Sequence, residues 1–414
     1  MPHAAWHQDA SEGMLASMPD ARYFADSPEQ VGVDSKRLEA LFARAEREVR
    51  EGLLPSVQIA VARAGKIAGM RSFGRVSHEE RPAPATNDTL YMVFSCTKAI
   101  TSAAAWLLIQ EGKLSTDERV ADIIPEFATN GKDVITVEQL FTHTAGFPLA
   151  PYPPAEWGDR EKRLERFRRW RLNWQPGTCF EYHPTSSMWV VAEIIERLAG
   201  TDLREFVRTR IAEPLGLPDL RVGLPRSLHH RLADVVYVGD APTPEELRQL
   251  GFPVIPEGEV TEQAIVGFNH PLAREAAVPG GGGTMTAADL ALFYQALLAA
   301  GHGNGPASLW KPETIRVACQ IRSGDLRDPI FGKRANRALG VVIAGDADRT
   351  YRGFGRTGSP EMFGHGGAGG QIAWGDPESG ISLGYCTNGF DRHPVRQARR
   401  GVAISSLAAE VACA

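Results

Sequence analysis

The start of the chain alternates between helical and extended hydrophobic patterns. Between Asp34 and Gly52, apolar residues recur at the spacing of a helix that begins at an N-cap and ends at a glycine. Residues 57–61 then alternate as in a strand, and the Ala64-Gly65 pair predicts a turn. Residues 66–73 can return as the hairpin partner. The chain is therefore predicted to open with one helix followed by two strands.

The end of the chain shows a similar pattern. Residues 371–374 and 381–387 have strand-like patterns, and the stretch 376–380 between them contains the Pro and Gly typical of a turn. A closing helix is predicted over residues 394–413. Strands at both ends with helices between them indicate an α/β (α+β) domain built from both termini, with a helical domain inserted.

The middle of the chain is rich in helical periodicity and in loops. We predict its helices at residues 97–112, 137–143, 159–172, 185–199, 202–212 and 286–300. Thr286 is expected to cap the last of these helices. The expected domains are a lead-in (1–30), an α/β domain (31–95 and 301–414) and a helical domain (96–300).

Composition narrows the function classes. The 414 residues are 43% hydrophobic and carry a net charge of −5, so no global charge favours nucleic acid or an anionic membrane as a partner. Neither a signal peptide nor a membrane-spanning run is apparent, and the five cysteines lack metal-ligand spacing. We therefore expect a cytoplasmic protein with reduced thiols and without a metal or organic cofactor.

The first candidate for chemistry is the stretch from Ser95 to Lys98, which precedes a strongly helical run. Residues three apart lie on one face of a helix, so a hydroxyl nucleophile and an amine base would point the same way. A second Ser-x-x-Lys match ends at Lys311, directly before Pro312, which disfavours helical geometry there. We expect only the first match to be catalytic.

Ser382 lies in a G-x-S-x-G sequence, a second pattern that could hold a nucleophile. That motif requires a strand, a sharp turn and then a helix. Ser382 instead lies inside an alternating strand pattern, and no helix follows at once. We interpret it as an ordinary strand serine.

Two further patches raise the interest of Ser95. Tyr182 stands on a loop that enters a helix, where its phenol could face a cleft or simply pack. The glycine-rich stretch 363–370 leads into an expected edge strand, where a substrate could lie against the backbone. Taken alone, the second patch could equally be a plain hairpin loop.

Together, the three patches resemble the serine hydrolases of the class C β-lactamase and penicillin-binding-protein superfamily, above all the family VIII carboxylesterases. That family carries Ser-x-x-Lys, then Tyr-x-x, then Lys- or His-x-Gly on a strand. The matching stretches here are Ser95 to Lys98, Tyr182 to Pro184, and His365 to Gly367, and the likeness covers about residues 30–410. The resemblance implies a β-lactamase-like fold with an antiparallel sheet flanked by helices.

The resemblance also implies roles for these residues. Ser95 would be the nucleophile of an acyl-enzyme mechanism, with Lys98 and Tyr182 as base and proton relay; which of the two is the first base stays open. The oxyanion hole would be the backbone N–H groups of Ser95 and Ala368. The residues His365, Gly366 and Gly367 would contact substrate, and His365 could orient Tyr182 or the substrate, or be a plain loop histidine.

Two departures from the β-lactamase motifs bear on the substrate. Pro184 stands where those enzymes have an asparagine, and it offers no side-chain donor. His365-Gly366-Gly367 replaces Lys-Thr-Gly and supplies neither a hydroxyl nor a permanent charge. A site without these handles is expected to favour a neutral ester over a β-lactam or a D-Ala-D-Ala peptide.

The stretch 159–174 combines arginines with aromatic residues. A nucleic-acid interface is one interpretation, but interspersed acids favour a solvated helix whose apolar side lines the cleft. With Phe147, Tyr152 and Trp157, it could form an aromatic wall for a hydrophobic or aryl ester. His143 is interpreted as structural.

The overall expectation is an enzyme, a carboxylesterase acting on a small-molecule ester. The alternatives are a β-lactamase, a D-amino-peptidase or amidase, or an acyltransferase of the same fold, and, from another class, a catalytically silent binding module. No nucleic-acid or membrane partner is expected. The sequence leaves open whether the protein is a monomer or a homodimer.

Overall fold

The computed structural model describes residues 20–76, 82–253, 260–303 and 309–413. Most of the predicted lead-in, and Ser308 of the second Ser-x-x-Lys match, lie outside the described residues. The described part of the lead-in forms two short 3₁₀ turns, Ala21–Tyr23 and Pro28–Val31.

Strands from both ends of the chain form one seven-stranded sheet in the order β3-β2-β1-β11-β10-β9-β8, with every neighbouring pair antiparallel. Two smaller sheets have the orders β4-β7-β5 and β12-β6. The strands are β1 Ser56–Arg63, β2 Lys66–Val76, β3 Ala83–Pro84, β4 Tyr91–Met92, β5 Arg221–Val222, β6 Val236–Val238, β7 Gly283–Met285, β8 Val342–Ile343, β9 Phe363–Gly367, β10 Gln371–Gly375, β11 Ser382–Thr387 and β12 Gly389–Asp391.

Helices cover the sheet and fill the middle of the chain. They are α1 Ser35–Arg50, α2 Thr97–Gln110, α3 Val120–Ile123, α4 Val137–Phe141, α5 Arg160–Arg169, α6 Ser186–Ala199, α7 Leu203–Val207, α8 Glu213–Leu215, α9 Pro244–Gln249, α10 Glu262–Val266, α11 Pro271–Glu275, α12 Ala287–Gly301, α13 Pro312–Ala318 and α14 Pro394–Ala409. The antiparallel sheet flanked by helices that the sequence predicted is confirmed.

The two faces of the central sheet are buried against different helices. Val57, Ile59 and Val61 of β1 pack in one apolar cluster with α1 and α14, while Ala60 and Ala62 face the cluster that contains α12. Because both faces are buried, these positions of β1 alternate between large and small apolar side chains and not between apolar and polar ones. Large side chains fill the space under α1 and α14, and small ones let α12 approach the sheet.

The approach of α12 is closest at a row of small residues across three strands. Gly384 pairs in register with Ala60 on one side and Ala373 on the other. A Cβ on Gly384 would lie 2.0 Å from the carbonyl oxygen of Ala287, at the start of α12. The glycine is thus required by the contact between helix and sheet.

Replacing Gly384 by alanine is expected to destabilise the fold by about 1–3 kcal/mol, because the added methyl group would push against helix backbone. Urea unfolding monitored by circular dichroism measures the loss. Gly267→Ala is the matched control, since a Cβ there meets nothing within 4 Å. Equal midpoints for the two variants would contradict the proposed packing constraint.

Several predicted elements differ from those observed. The helix predicted at 202–212 is a continuous run of α7, a π-helical turn at Arg208–Ala212, and α8. The stretch 363–367 is itself a strand, β9, and the strand that follows it, β10, which was expected at the sheet edge, lies inside the sheet between β9 and β11. The strand β8 pairs only with Phe363 and Gly364, which leaves the second half of β9 unpaired on that side within the described chain.

The predicted division into domains stays a prediction. The helix α12, which it assigns to the helical part, packs on the central sheet. No helix in the described part of the chain is long and apolar enough to cross a membrane.

Candidate active site

Ser95 lies in a 3₁₀ turn, Phe94–Cys96, that runs directly into α2. Phe94 has a φ of 45°, a left-handed conformation that is uncommon for a bulky residue and typical of functional turns. Its ring is fixed edge-on against Phe268 and Phe390, at centroid distances of 5.4 and 5.1 Å. Ser95 is the partly exposed residue of an otherwise buried run, so it faces the cleft.

Hydrogen bonds hold this turn in place. The Thr97 hydroxyl donates to the Phe94 carbonyl (2.5 Å) and accepts the Gly283 N–H (2.8 Å). The Cys96 thiol donates to the His365 carbonyl over 3.1 Å, which ties the turn to β9. The turn is therefore anchored to a loop on one side and to the sheet on the other.

The amine of Lys98 is buried directly behind Ser95. Lys98 is 1% exposed, and its Nζ lies 3.3 Å from Ser95 Oγ, 2.7 Å from the Pro184 carbonyl and 2.8 Å from the Gly280 carbonyl. A neutral amine has two N–H donors and one lone pair. With both donors directed to the carbonyls, the lone pair faces the Ser95 hydroxyl.

Burial lowers the pKa of Lys98, and the positive charge of Arg337 lowers it further, whereas Tyr182 opposes the shift. No carboxylate forms an ion pair with Lys98 among the described residues. The environment thus favours the neutral amine, the form that can accept a proton from a hydroxyl.

Tyr182 stands above Lys98 on the loop before α6. The Lys98 Nζ lies 5.0 Å from the centroid of the Tyr182 ring. Behind that ring are His143, at a centroid distance of 4.7 Å, and His183, whose backbone N–H donates to His143 Nδ1 over 3.2 Å. Burial lowers the pKa of both histidines, to about 4 for His183, so both rings are neutral and the His143 ring packs against the tyrosine.

The strand β9 forms the opposite side of the site. Burial, Arg337 and Lys98 hold the pKa of His365 well below its usual range, so the ring is neutral. Its Nδ1 lies 2.7 Å from the Gly366 carbonyl and therefore carries the proton. A Cβ on Gly367 would lie 2.3 Å from the Val93 carbonyl, so the segments carrying Ser95 and Ala368 approach each other closely.

Sequence reasoning missed Arg337, which reaches the site from the segment before β8. Its Nη1 lies 3.3 Å from His365 Nε2, and its guanidinium carbon lies 5.1 Å from the centroid of the Tyr182 ring and 5.5 Å from that of Phe180. Burial lowers the pKa of Arg337. A single arginine in a loop carries no motif, so only the fold could reveal this position.

These groups open onto a cleft of about 740 Å³. Ser95, Tyr182, His365, Gly366 and Ala368 line it, together with the predicted aromatic residues Tyr152 and Trp157 and the previously unassigned residues Phe268, Ile265, Ile330 and Tyr351. The prediction for Phe147 is wrong. Its side chain is fully buried and stacks on Trp170 with a centroid distance of 5.7 Å, away from the cleft.

Gly367 is also absent from the cleft lining, because its α-carbon faces the Val93 carbonyl and Gln371. The structure thus brings together the predicted residues Ser95, Lys98 and Tyr182, with His365, Gly366 and Ala368 beside them. It does not bring Phe147 or Gly367 to the cleft surface.

The arginine-rich stretch forms α5, and the interpretation of its apolar side is wrong. Phe167 and, just after the helix, Trp170 pack in the core instead of lining the cleft. Arg163 binds Glu193 (2.6 Å) and Glu196 of α6. The only residue of α5 that lines the cleft is Arg166, which forms an ion pair with Glu156 over 2.7 Å.

The structure also explains the decoy serine. Ser382 is fully buried under α12, where its hydroxyl donates to the Ala291 carbonyl (2.7 Å) and accepts from Gln295 Nε2 (2.9 Å). Lys311 of the second Ser-x-x-Lys match precedes α13 and is exposed. In the described part of the chain, no His, Cys, Asp and Glu cluster could hold a metal ion.

Comparisons with known proteins show similarity over most of the chain. A "Putative D-alanyl-D-alanine carboxypeptidase" of Escherichia coli K12 is 28% identical over 392 residues, which cover 87% of this chain and 84% of that protein. The crystal structure of a penicillin-binding protein homologue from Caulobacter crescentus has a TM-score of 0.73 and 28% identity, covering 90% of this chain and 97% of the other. The crystal structure of a family VIII carboxylesterase shares the fold. Its TM-score is 0.71 and its identity is 24%, and the match covers 90% of this chain and 99% of the other.

The family assignment rests on the sequence profile of the Beta-lactamase family, which matches residues 42–407. The predicted β-lactamase-like fold class and the resemblance to this superfamily are both confirmed. With its serine and lysine in hydrogen-bond contact at the start of a helix, and with a profile match over most of its length, the chain belongs to the Beta-lactamase family of serine hydrolases.

Proposed function

We propose that the protein hydrolyses carboxylic esters through an acyl-enzyme formed on Ser95. The observation that carries the proposal is the position of the Lys98 amine, which is buried 3.3 Å from Ser95 Oγ and lies within hydrogen-bond distance of the Pro184 and Gly280 carbonyls. A group in this environment is suited to take the serine proton as the hydroxyl attacks.

In the proposed reaction, the Ser95 oxygen bonds to the ester carbonyl carbon and the serine proton passes to Lys98. The negative carbonyl oxygen would accept hydrogen bonds from the backbone N–H groups of Ser95 and Ala368. Each such donor typically raises the rate constant about 10²- to 10³-fold. Tyr182 relays the proton to the leaving alcohol as the C–O bond breaks. Water then attacks the acyl-enzyme along the reverse proton route and releases the acid.

The lining of the cleft supports a small-molecule ester with an apolar acyl group. Trp157 and Phe268 stack at a centroid distance of 5.4 Å, and Phe268 in turn contacts Phe94, next to the nucleophile. This row of rings offers an apolar surface that begins at Ser95. An acyl group lying along it would leave its carbonyl at the serine.

A second candidate activity is hydrolysis of a D-alanyl peptide. The name of the Escherichia coli relative favours it, and the cation of Arg337 in the cleft could meet a terminal carboxylate. Against it stands Pro184, whose carbonyl is engaged by Lys98 and whose side chain offers no donor to a substrate amide. The ester reaction is therefore the leading proposal.

The test combines turnover with active-site labelling. We expect the wild type to hydrolyse p-nitrophenyl butyrate much faster than the β-lactam nitrocefin or a D-Ala-D-Ala peptide. A fluorophosphonate should inactivate it with the adduct mapping to Ser95 by mass spectrometry. Ser382→Ala should still be labelled and active, because Ser382 is buried under α12.

Four results would contradict the proposal. Labelling at a serine other than Ser95, or full ester turnover in Ser95→Ala, would overturn the assigned nucleophile. Preferred turnover of the D-Ala-D-Ala peptide would transfer the assignment to the peptidase activity. Failure of every substrate and of labelling would favour a catalytically silent binding module.

A further inference from the structure

Three arginines line the cleft, and two of them are neutralised by carboxylates. Arg166 binds Glu156 with two hydrogen bonds, of 2.8 and 2.7 Å. Arg352 binds Asp346 over 2.5 Å. Within the described parts of the chain, Arg337 has no carboxylate at ion-pair distance. It is therefore the cleft arginine whose charge is not matched by a neighbouring ion pair.

The polar groups of Arg337 are poorly satisfied. Its Nε is buried and has no hydrogen-bond partner among the residues that the structure describes, and the contact of its Nη1 is with the neutral His365 ring. Asp328 on the cleft lining acts on Arg337 through its charge, but its carboxylate accepts hydrogen bonds from the backbone N–H groups of Ile330 (2.8 Å) and Phe331 (3.2 Å) and not from the guanidinium. A guanidinium stays protonated in proteins, so the cleft lining holds a positive charge without an ion-pair partner in the described chain.

A cation on a binding surface that lacks an ion-pair partner is complementary to an anion. The planar guanidinium offers parallel N–H donors that match the two oxygens of a carboxylate, and such charge-assisted pairs are the strong hydrogen bonds of proteins. Because the charge lies beside Tyr182, the residue proposed to protonate the leaving group, an anion bound there belongs to the alcohol half of the ester.

We propose that Arg337 is a specificity-determining residue that binds a carboxylate on the alcohol half of the substrate, so that the protein acts on esters formed between an apolar acid and a hydroxy acid. The apolar acyl group lies along Phe268 and Trp157, and the carboxylate of the leaving hydroxy acid meets the guanidinium. This inference rests on the proposed esterase function. It also replaces the expectation of a wholly neutral ester, because the missing Lys-Thr-Gly charge is supplied from another segment of the chain.

Three aryl esters test the proposal: phenyl butanoate, 3-(butanoyloxy)benzoate and monophenyl glutarate. The first is neutral, the second carries the carboxylate on the alcohol half, and the third carries it on the acyl half. We expect wild-type kcat/KM to be highest for 3-(butanoyloxy)benzoate. In Arg337→Gln, kcat/KM for this ester should fall about 10- to 100-fold more than for the other two.

The conservative variant separates binding from support of Tyr182 and His365. Arg337→Lys keeps the charge but loses the planar donor pair, so the preference should be intermediate. Thermal unfolding of each variant identifies a loss of fold. An equal fall of kcat/KM for all three esters would overturn the proposal, because Arg337 would then act through Tyr182 and His365 instead of through the substrate.

A binding experiment keeps this inference separate from the proposed reaction. Titration calorimetry of 3-(butanoyloxy)benzoate into Ser95→Ala should give a dissociation constant about 10- to 100-fold lower than in Ser95→Ala with Arg337→Gln. Equal constants would refute the carboxylate site whether or not the wild type turns over esters. Retained turnover in Ser95→Ala would refute the nucleophile without affecting this comparison.

Discussion

Replacing Lys98 by methionine is expected to lower kcat/KM for p-nitrophenyl butyrate by about 10²- to 10⁴-fold, the range found for a positioned general base. Methionine keeps an unbranched stem of similar length and removes only the amine that contacts Ser95, Pro184 and Gly280. Steady-state kinetics of the purified variant measure the effect, and circular dichroism shows whether it is folded.

The role of Lys98 as a base also predicts how kcat/KM depends on pH. A base must be neutral to accept a proton, so wild-type kcat/KM should fall as pH falls through the pKa of Lys98. Since burial lowers that pKa, the acid limb should lie below the ordinary lysine value of 10.5. The residual activity of Lys98→Met should lack this limb. An unchanged limb would assign it to another group and would refute Lys98 as the base.

A second buried lysine provides the matched control. Lys132 is fully buried, burial lowers its pKa to about 8, and its Nζ donates to the carbonyls of Thr129 (2.6 Å) and Trp170 (2.7 Å). It lies outside the cleft lining. Lys132→Met should therefore lose about 1–3 kcal/mol of stability, because two carbonyls lose a donor, and keep its kcat/KM. A comparable loss of activity in both variants would show that burial, and not chemistry, explains the first result.

The sequence predicted the position of Lys98 relative to Ser95, but not the surroundings of its amine. Spacing alone predicted that Ser95 and Lys98 share a helical face, because that relation is set by local geometry. The carbonyls that hold the Lys98 amine belong to Pro184 and Gly280, far away along the chain. No local pattern encodes such contacts, so the environment of the amine required the fold.

The aromatic residues illustrate the same limit. Phe147, Tyr152 and Trp157 were predicted to form one wall, yet only the last two face the cleft, since Phe147 packs on Trp170. Hydrophobic character predicts burial, but it does not distinguish the core from the lining of a pocket. The row Ala60, Gly384 and Ala373 is similar: each strand looked ordinary until pairing placed the three under α12.

The arginines of α5 are explained by an acidic residue on α6. The sequence predicted both helices, but it did not predict that they pack against each other. Glu193 of α6 is fully buried and accepts hydrogen bonds from Arg163 and Arg160 of α5 and from Arg197 of its own helix, at 2.6, 2.5 and 2.8 Å. One carboxylate thus matches three guanidinium groups. The basic face that suggested nucleic acid is largely occupied by the protein's own acids.

Removing that carboxylate should have a large effect on stability. Glu193→Ala is expected to lower the free energy of unfolding by about 3–5 kcal/mol, because the largely buried Arg163 would keep only Glu196 as its partner. The control Glu165→Ala removes an exposed glutamate that pairs with Arg169 on α5, and it should cost about 0.3–0.5 kcal/mol. Urea unfolding at neutral pH measures both variants, and equal midpoints would contradict the role of the buried network.

The same network predicts a pH dependence with a definite sign. Burial raises the pKa of Glu193, but Arg163, Arg197 and Arg160 outweigh it, so the folded-state pKa lies below the ordinary value of 4.5. Stability from Glu193 is therefore fully present above about pH 4.5 and is lost as pH falls through the folded-state pKa. The difference in unfolding free energy between wild type and Glu193→Ala should narrow on acidification below that value. A difference that stays constant from neutral to acidic pH would show that the carboxylate charge does not hold α5 on α6.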